Sequence, residues 1–446
     1  MNQIFLNKET VLSSTSIRHL PLESMSFSGG KNKIIITGKN FEYILSILKE
    51  RVIYNAKNKA KNALKRAGSR DTPKIILEIL MDHDYRKSPK HFIPKPEFIS
   101  KIKRQISDDK PVELVIPLFP CKVHNRLKAK GIYPDLSEIL TILRLMEICL
   151  AIKEVYNPGG HFLIAADGFR FKKSWRVSSE DIKNYQDRIK EFINLTGANK
   201  YMELVDYEKF INENYSKEEK LQRNFNYLKA VSKYRSFSQK IRKSNFKNSF
   251  DLFNYAKIYD PDFDYSNSEG RFVPLFRSTM YSICFSELFR DLSDSDIKYL
   301  FQDIYDTKDK NYGKIREKIL EITFKSTINY MTAIRTDRSN DPLVRILPYA
   351  LRCTIHSKPG QIGLSTISKS ARIESWHGTG FIDKKGKAGV DFLISLETEG
   401  YLPVFIYGNS FHMFDQPLFY SSIEGIEAIL NYSFTQKRGG DEYATL

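Results

Sequence analysis

The chain has 446 residues, 41% of them hydrophobic and 13% aromatic, and a formal net charge of +17 at pH 7. That length admits one large α/β domain or two domains, and apolar residues spread along the whole chain argue against extensive disorder. Four scattered cysteines, Cys121, Cys149, Cys284 and Cys353, form no CxxC pair, which argues against a zinc knuckle or a disulfide framework and points to a reducing compartment.

No apolar run reaches the roughly 18–20 residues of a membrane span, and charged residues interrupt the N-terminus, so a soluble, cytoplasmic protein is expected. The positive charge raises the question of nucleic acid. Its densest stretches, Lys57, Lys59, Lys61, Lys65 and Arg66, then Lys233, Arg235, Lys240, Arg242 and Lys243, carry no nucleic-acid-binding motif. They read as solvated helix faces, with a small anionic substrate as a further use for some of the charge.

Residues 1–32, rich in Ser and Asn and ending in Gly29-Gly30, read as an N-terminal tail or extension. Residues 33–105 form a strand/helix segment: Lys33 to Thr37 is apolar and strand-like, and Phe41, Ile44, Leu45, Leu48 and Val52 recur at helical spacing. Pro89, Pro94 and Pro96 mark residues 82–96 as a linker.

The main domain runs over 106–446. Val112 to Leu118 is a buried-strand pattern; Pro134-Asp135-Leu136-Ser137-Glu138 opens a helix with Leu136, Ile139, Leu140, Leu143 and Met146 on one face; His161 to Ala166 is a second strand. Strand, helix, strand at this spacing favours parallel pairing and a right-handed crossover. Residues 178–335 read as a charged helical insertion or cap. Strand-like pieces return at 350–356, 378–383, 391–396 and 402–407. The expected fold is α/β, a mostly parallel or mixed sheet flanked by helices in a Rossmann-like manner, with that helical cap.

No GxGxxG, GxxxxGK[ST], HExxH or GxSxG pattern occurs. Asp260-Pro-Asp262-Phe-Asp264 begins like a calcium loop but has Tyr265 where the Gly belongs and Arg271 where the Glu belongs. No metal site is expected. Four clusters carry chemistry instead.

Lys122 and Asn125 follow the first buried strand, where open α/β sheets bind ligands, and suit a phosphate or carboxylate; a solvated surface loop is the plain alternative. Glu138 either completes a capping box with Asp135 or faces substrate. Asp167 and Arg170 follow the second strand and offer a carboxylate for an amine and a guanidinium for an anion, although Asp167-Gly168 is also a common hairpin turn. Arg352 and His356 alternate onto one face of a strand, and Trp376-His377 lies downstream; histidines suit proton transfer near neutral pH.

Taken together, PLFPCKVHN, GIYPDLSE, YNPGGHFLIAADGFRF, RCTIHSKPGQIG and SWHG, in that order, resemble the isocyanide synthase family, also known as the pyoverdine/dityrosine biosynthesis family. The likeness is clearest over 111–171 and 350–380, with weaker support from Glu269-Gly-Arg-Phe272. It departs from the family pattern in reading Lys122-Val123-His124-Asn125 where Lys-Ser-x-Asn is expected, and in a longer N-terminus and helical middle.

What the resemblance implies is an enzyme that condenses the amine of tyrosine or tryptophan with the ketone of ribulose 5-phosphate as co-substrate. Fragmentation of the adduct then leaves one sugar carbon on nitrogen as an isocyanide. It implies no metal or redox cofactor, small-molecule substrates in place of nucleic acid or membrane, and a downstream oxygenase. Lys122, Asp167, His356 and His377 are then the candidate catalytic residues. Lys122, Asn125, Glu138, Arg170, Arg352 and Trp376 are the candidates for holding substrate and phosphate. An N-formyl amino acid or another amine–phosphosugar condensation product is the alternative outcome, and a basic nucleic-acid-binding protein the alternative class.

Overall fold

In this computed structural model the described residues are 24–26, 32–87, 95–243, 272–286, 288, 291, 293, 310–337, 341–355, 360–371, 373–407 and 416–432. Strands β1 (Ser24–Ser26) and β2 (Asn32–Thr37) lead into helices α1 (Gly38–Ala67), α2 (Thr72–Leu80) and α3 (Lys95–Ser107). Strand β3 (Val112–Leu118), helix α4 (Leu136–Lys153) and strand β4 (Gly160–Ala166) follow, then α5 (Gly168–Trp175), α6 (Ser179–Thr196), β5 (Met202–Asp206), α7 (Tyr207–Asn214) and α8 (Lys217–Lys243). Beyond them come α9 (Phe272–Cys284), α10 (Lys310–Thr336), α11 (Pro342–Ile346), β6 (Leu351–Thr354), β7 (Ile362–Gly363), β8 (Thr379–Ile382) and β9 (Ala388–Asp391). Helix α12 (Leu393–Thr398), β10 (Leu402–Tyr407), β11 (Phe419–Ser421) and α13 (Ile423–Leu430) complete the described elements.

The predicted β-α-β unit is present. β3 and β4 pair in parallel from Val112↔Gly160 to Leu118↔Ala166, inside a parallel sheet of order β5-β4-β3-β6-β7. Apolar runs buried on both faces are what a central parallel strand requires. The chain winds outward from β3 through β4 to β5, then returns to the other side of β3 with β6. β3 and β6 therefore flank the point where strand order reverses, and ligands of open α/β sheets bind outside the carboxyl ends at such a point. Pairing of β3 with β6 spans Leu114 and Val115 and stops before Pro117, which has no N–H to extend a ladder.

A second, mixed sheet has the order β1-β2-β10-β11-β8-β9. Here β2 and β10, from opposite ends of the chain, pair in parallel through Val404↔Ile34 to Tyr407↔Thr37. Residues 33–105 are thus built into the same body as the C-terminal segment. One core joins them: Ile34, Phe41, Leu114, Leu143, Ile164, Ile382 and Val404 belong to a single buried cluster.

Helix α4 is the hub. The apolar pattern predicts one buried face, whereas residues from Leu136 to Cys149 are buried all round, and α4 packs on α1, β4, β8 and β9. A helix covered on every side has no solvent face to show in its periodicity. Polar residues on it must then find partners. Glu147, fully buried, accepts from Tyr85 Oη at 2.8 Å and Arg144 Nη1 at 3.1 Å.

Four expectations need correction. The predicted helical stretch 178–335 contains β5, a five-residue edge strand whose Glu203 breaks the apolar pattern. The strand predicted over 391–396 is split: Ala388–Asp391 pairs with β8, then Asp391 Oδ1 accepts from Phe392 N at 2.8 Å as α12 begins. Within the presumed linker, Tyr85 is 0% exposed and anchored to α4. Within the presumed tail, Ser24–Ser26 pairs antiparallel with β2. In α1, Lys57, Lys61 and Lys65 are exposed, while Lys59 and Arg66 bind Asp82 at 2.8 and 2.9 Å. No described helix is long and apolar enough to cross a membrane.

Candidate active site

The carboxyl end of β3 turns abruptly at Phe119, whose φ of 54° lies in the left-handed region that side-chain-bearing residues rarely enter. The turn carries Lys122 beneath the start of α4. Its ammonium lies 2.8 Å from Asp135 Oδ2, 2.9 Å from Glu138 Oε2 and 3.1 Å from Ser137 Oγ, and both Lys122 and Glu138 are out of contact with water. Asp135 and Glu138 also form the anticipated capping box: Asp135 Oδ1 accepts from Ser137 N at 2.7 Å, and Glu138 Oε2 accepts from Asp135 N at 2.8 Å. Tyr185 of α6 donates to the other Glu138 oxygen at 3.1 Å.

Two carboxylates thus share one buried ammonium. Burial alone would lower the Lys122 ammonium, but Asp135 and Glu138 outweigh it and hold it above the ordinary lysine value. Glu138 is pushed up to about 7, first by burial and then by Asp135, with Lys122 opposing both. The capping role is present, and the same carboxyl is paired with Lys122.

Asn125 shapes the following loop. Its amide donates to Ser282 O at 3.1 Å, its Oδ1 accepts from Leu127 N at 3.1 Å, and its backbone bridges to Ala129. Lys122 and Asn125, the pair expected beside a phosphate, are both engaged by protein groups in this structure.

The end of β4 is assembled against the same turn. Gly168 passes so close to it that an added Cβ would lie 2.0 Å from Pro120 O and 2.8 Å from Ile182 Cγ2. Only glycine admits that approach, so Asp167-Gly168 is a packing junction and not a hairpin. Asp167 is partly exposed, yet its Oδ1 is buried without a hydrogen-bond partner. Burial pushes its carboxyl up to about 7, with Arg170 and Arg352 pulling the other way. A buried orphan of this kind costs about 1–3 kcal/mol.

Arg170 reaches toward the helical cap. It donates to Ala333 O at 2.9 Å and pairs with Asp337 Oδ2 at 3.0 Å, over the ring of Tyr207. Asp337 also accepts from Tyr207 Oη at 3.0 Å and Arg223 Nε at 2.8 Å. This carboxylate, invisible as a motif, ties α5, α7 and α8 together at the end of α10. Arg170 Nε stays unpartnered. Arg352 donates from Nε to Asp341 Oδ2 at 2.8 Å and from Nη1 to Cys353 O. His356 and residues 269–271 lie outside the described residues.

Trp376 and His377 sit on a 3-10 turn held against α4, where Ser137 Oγ donates to Ser375 O at 2.9 Å and Thr141 Oγ1 to Ser375 Oγ at 2.9 Å. Phe119 meets Trp376 edge to face at 6.1 Å, and Trp175, at the end of α5, stacks on His377 at 5.1 Å and 29°. The first, third and fourth motifs therefore converge. Trp175, Tyr185 and Asp337 escaped sequence reasoning; the one available signal was that Trp175 and Trp376 are the chain's two tryptophans. A cleft of about 260 Å³ between α4 and the β8–β9 hairpin, lined by Leu140, Arg144, Ile367, Ser370, Phe381 and Val390, contains none of the predicted residues.

Residues 102–262 match the family described as pyoverdine/dityrosine biosynthesis protein. The chain is 32% identical over 100 residues to an L-tyrosine isonitrile synthase of Xenorhabdus nematophila, covering 22% of this chain and 30% of that one. It is 29% identical over 100 residues to the L-tryptophan isonitrile synthase AmbI1 of Fischerella ambigua, covering 22% and 31%. The chain thus spans less than a third of these curated relatives. The crystal structure of PvcA from Pseudomonas aeruginosa superposes with a TM-score of 0.53 at 17% identity, covering 78% of this chain and 99% of that one, and shares the α/β fold.

Proposed function

We propose, from the match of residues 102–262 to the pyoverdine/dityrosine biosynthesis family and the likeness to named isonitrile synthases, that the chain is an isocyanide synthase acting on an aromatic amino acid, with ribulose 5-phosphate as carbon donor. The observation that carries the reading is Asp167, a carboxyl at the sheet's carboxyl edge with a buried, unpartnered oxygen. A substrate ammonium satisfies it.

On this reading Asp167 receives the amino group, and the cationic surroundings of Arg170 and Arg352 favour the carboxylate and phosphate. Condensation of the amine with the sugar ketone expels water; cleavage of the carbon–carbon bonds to the retained carbon then leaves it on nitrogen. Proton transfers in those steps fall to His377 and to the Lys122–Glu138 cluster, whose carboxyl is raised above the ordinary glutamate value by burial. His356 keeps its proposed part in proton transfer on sequence grounds. Four buried free thiols support a cytoplasmic location.

Tyrosine and tryptophan are proposed as substrates because relatives are named for them. Incubating the purified chain with ribulose 5-phosphate and each amino acid in turn, and scanning products by mass spectrometry, tests the assignment. The substrate gains one carbon and loses two hydrogens if the reading holds; an added carbonyl group instead would reassign the chain to formylation.

A further inference from the structure

Four polar atoms between Asp167 and Trp175 are buried without a hydrogen-bond partner among the described residues: Asp167 Oδ1, Arg170 Nε, Ser174 Oγ and Trp175 Nε1. Native proteins leave few such groups, so their concentration on one short helix marks a place where partners beyond the described residues belong. Asp167 and Arg170 already figure in the proposed chemistry. Trp175 does not.

Trp175 is stacked on its face, and its edge nitrogen meets no acceptor among the described residues. The face stacks on His377 at 5.1 Å, and His377 in turn meets Trp376 at 6.1 Å and 62°, so the imidazole contacts both indoles. The indole nitrogen can only donate; buried at the ring edge beside a candidate proton-transfer group, it calls for an acceptor oxygen.

We propose that Trp175 is a positioning residue of this site: its ring fixes the His377 imidazole, and its indole N–H donates to an anionic oxygen of bound substrate. The proposal rests on the isocyanide synthase reading for the identity of that substrate. The oxygen comes from the amino-acid carboxylate or from the sugar phosphate, the same acceptor chemistry from two sources. Loss of the hydrogen bond weakens binding of whichever ligand supplies it; loss of the stacked ring disturbs His377 and slows turnover.

The two tryptophans of the chain make the test direct. Full-length protein labelled with 15N-tryptophan gives two indole N–H resonances, assigned with Trp175→Phe. L-tyrosine, L-tryptophan and ribulose 5-phosphate are each titrated in, with calorimetry on the same samples as an independent measure of binding. A downfield move of the Trp175 indole proton with an amino acid identifies the carboxylate, and with the sugar, the phosphate. Calorimetric saturation that leaves this resonance in place overturns the role of Trp175 while the functional reading stands. Absence of calorimetric binding by all three removes both.

Kinetics of two variants separate the two contacts. Trp175→Phe keeps a ring on His377 and loses the donor, so KM for one ligand rises about ten- to hundredfold with kcat little changed. Trp175→Ala also loses the ring, and kcat falls as well. Equal losses of kcat in both variants, with KM unmoved, contradict the donor role.

Discussion

The ammonium of Lys122 lies 2.9 Å from Oε2 of Glu138, and neither side chain touches water. Asp135 lies on the same nitrogen at 2.8 Å, so one lysine offsets two carboxyls at the start of the central helix. Removing one partner of a buried pair leaves the others uncompensated. Lys122→Met is expected to cost about 3–5 kcal/mol of stability, read as a lowered urea midpoint. A midpoint equal to the parent's with activity lost would instead make Lys122 a pure ligand-binding group.

Asp167 links stability to pH. Its folded-state carboxyl keeps a proton until about pH 7, whereas in the unfolded chain the proton leaves near pH 4. Between those values the native state binds more protons, so this contribution is fully present below about pH 4 and is lost as pH rises through about 7. Asp167→Asn is expected to exceed the parent in stability by about 1–3 kcal/mol at pH 8, with the advantage narrowing toward pH 4. Urea unfolding across that range measures it, and a pH-independent difference contradicts it. The same ionisation predicts that kcat/KM of the parent rises through about pH 7.

Asp337 accepts from Tyr207 and pairs with Arg170 and Arg223. Asp337→Ala leaves two guanidinium groups short of their counter-charge, and a loss of about 3–5 kcal/mol is expected. Because Arg170 loses its ion pair and keeps its hydrogen bond to Ala333 O, substrate KM rises as well. Unchanged KM in a folded variant would detach Arg170 from substrate.

Gly168→Ala drives a methyl group into Pro120 O. Overpacking at a backbone contact costs about 1–3 kcal/mol or more, and here it also moves Asp167 away from the β3 turn. The expected result is a destabilised protein with kcat/KM reduced more than tenfold. Wild-type turnover in this variant contradicts the junction.

Legibility followed local pattern. Runs such as Val112–Leu118 and His161–Ala166 announced their strands because parallel strands are apolar throughout, and their ends then located Lys122 and Asp167. β5 was hidden because a short edge strand with Glu203 outward carries too little signal. Glu138 read equally as a cap and as a site residue because the carboxyl that closes the capping box is also the one paired with Lys122. Asp337 and Trp175 draw their meaning from partners distant in sequence, Arg170 and His377, and no spacing rule reports such a contact. The N-terminal strand β2 gave no sign that it closes a sheet with β10.

The central claim is a carbon transfer, and isotope label tests it most directly. Uniformly 13C-labelled ribulose 5-phosphate is incubated with the full chain and unlabelled L-tyrosine or L-tryptophan, and the product is resolved by mass and by 13C NMR. One labelled carbon bonded to the former amine nitrogen, as an isocyanide, is the predicted result. An amino acid recovered without label, while calorimetry shows that both substrates bind, would contradict it.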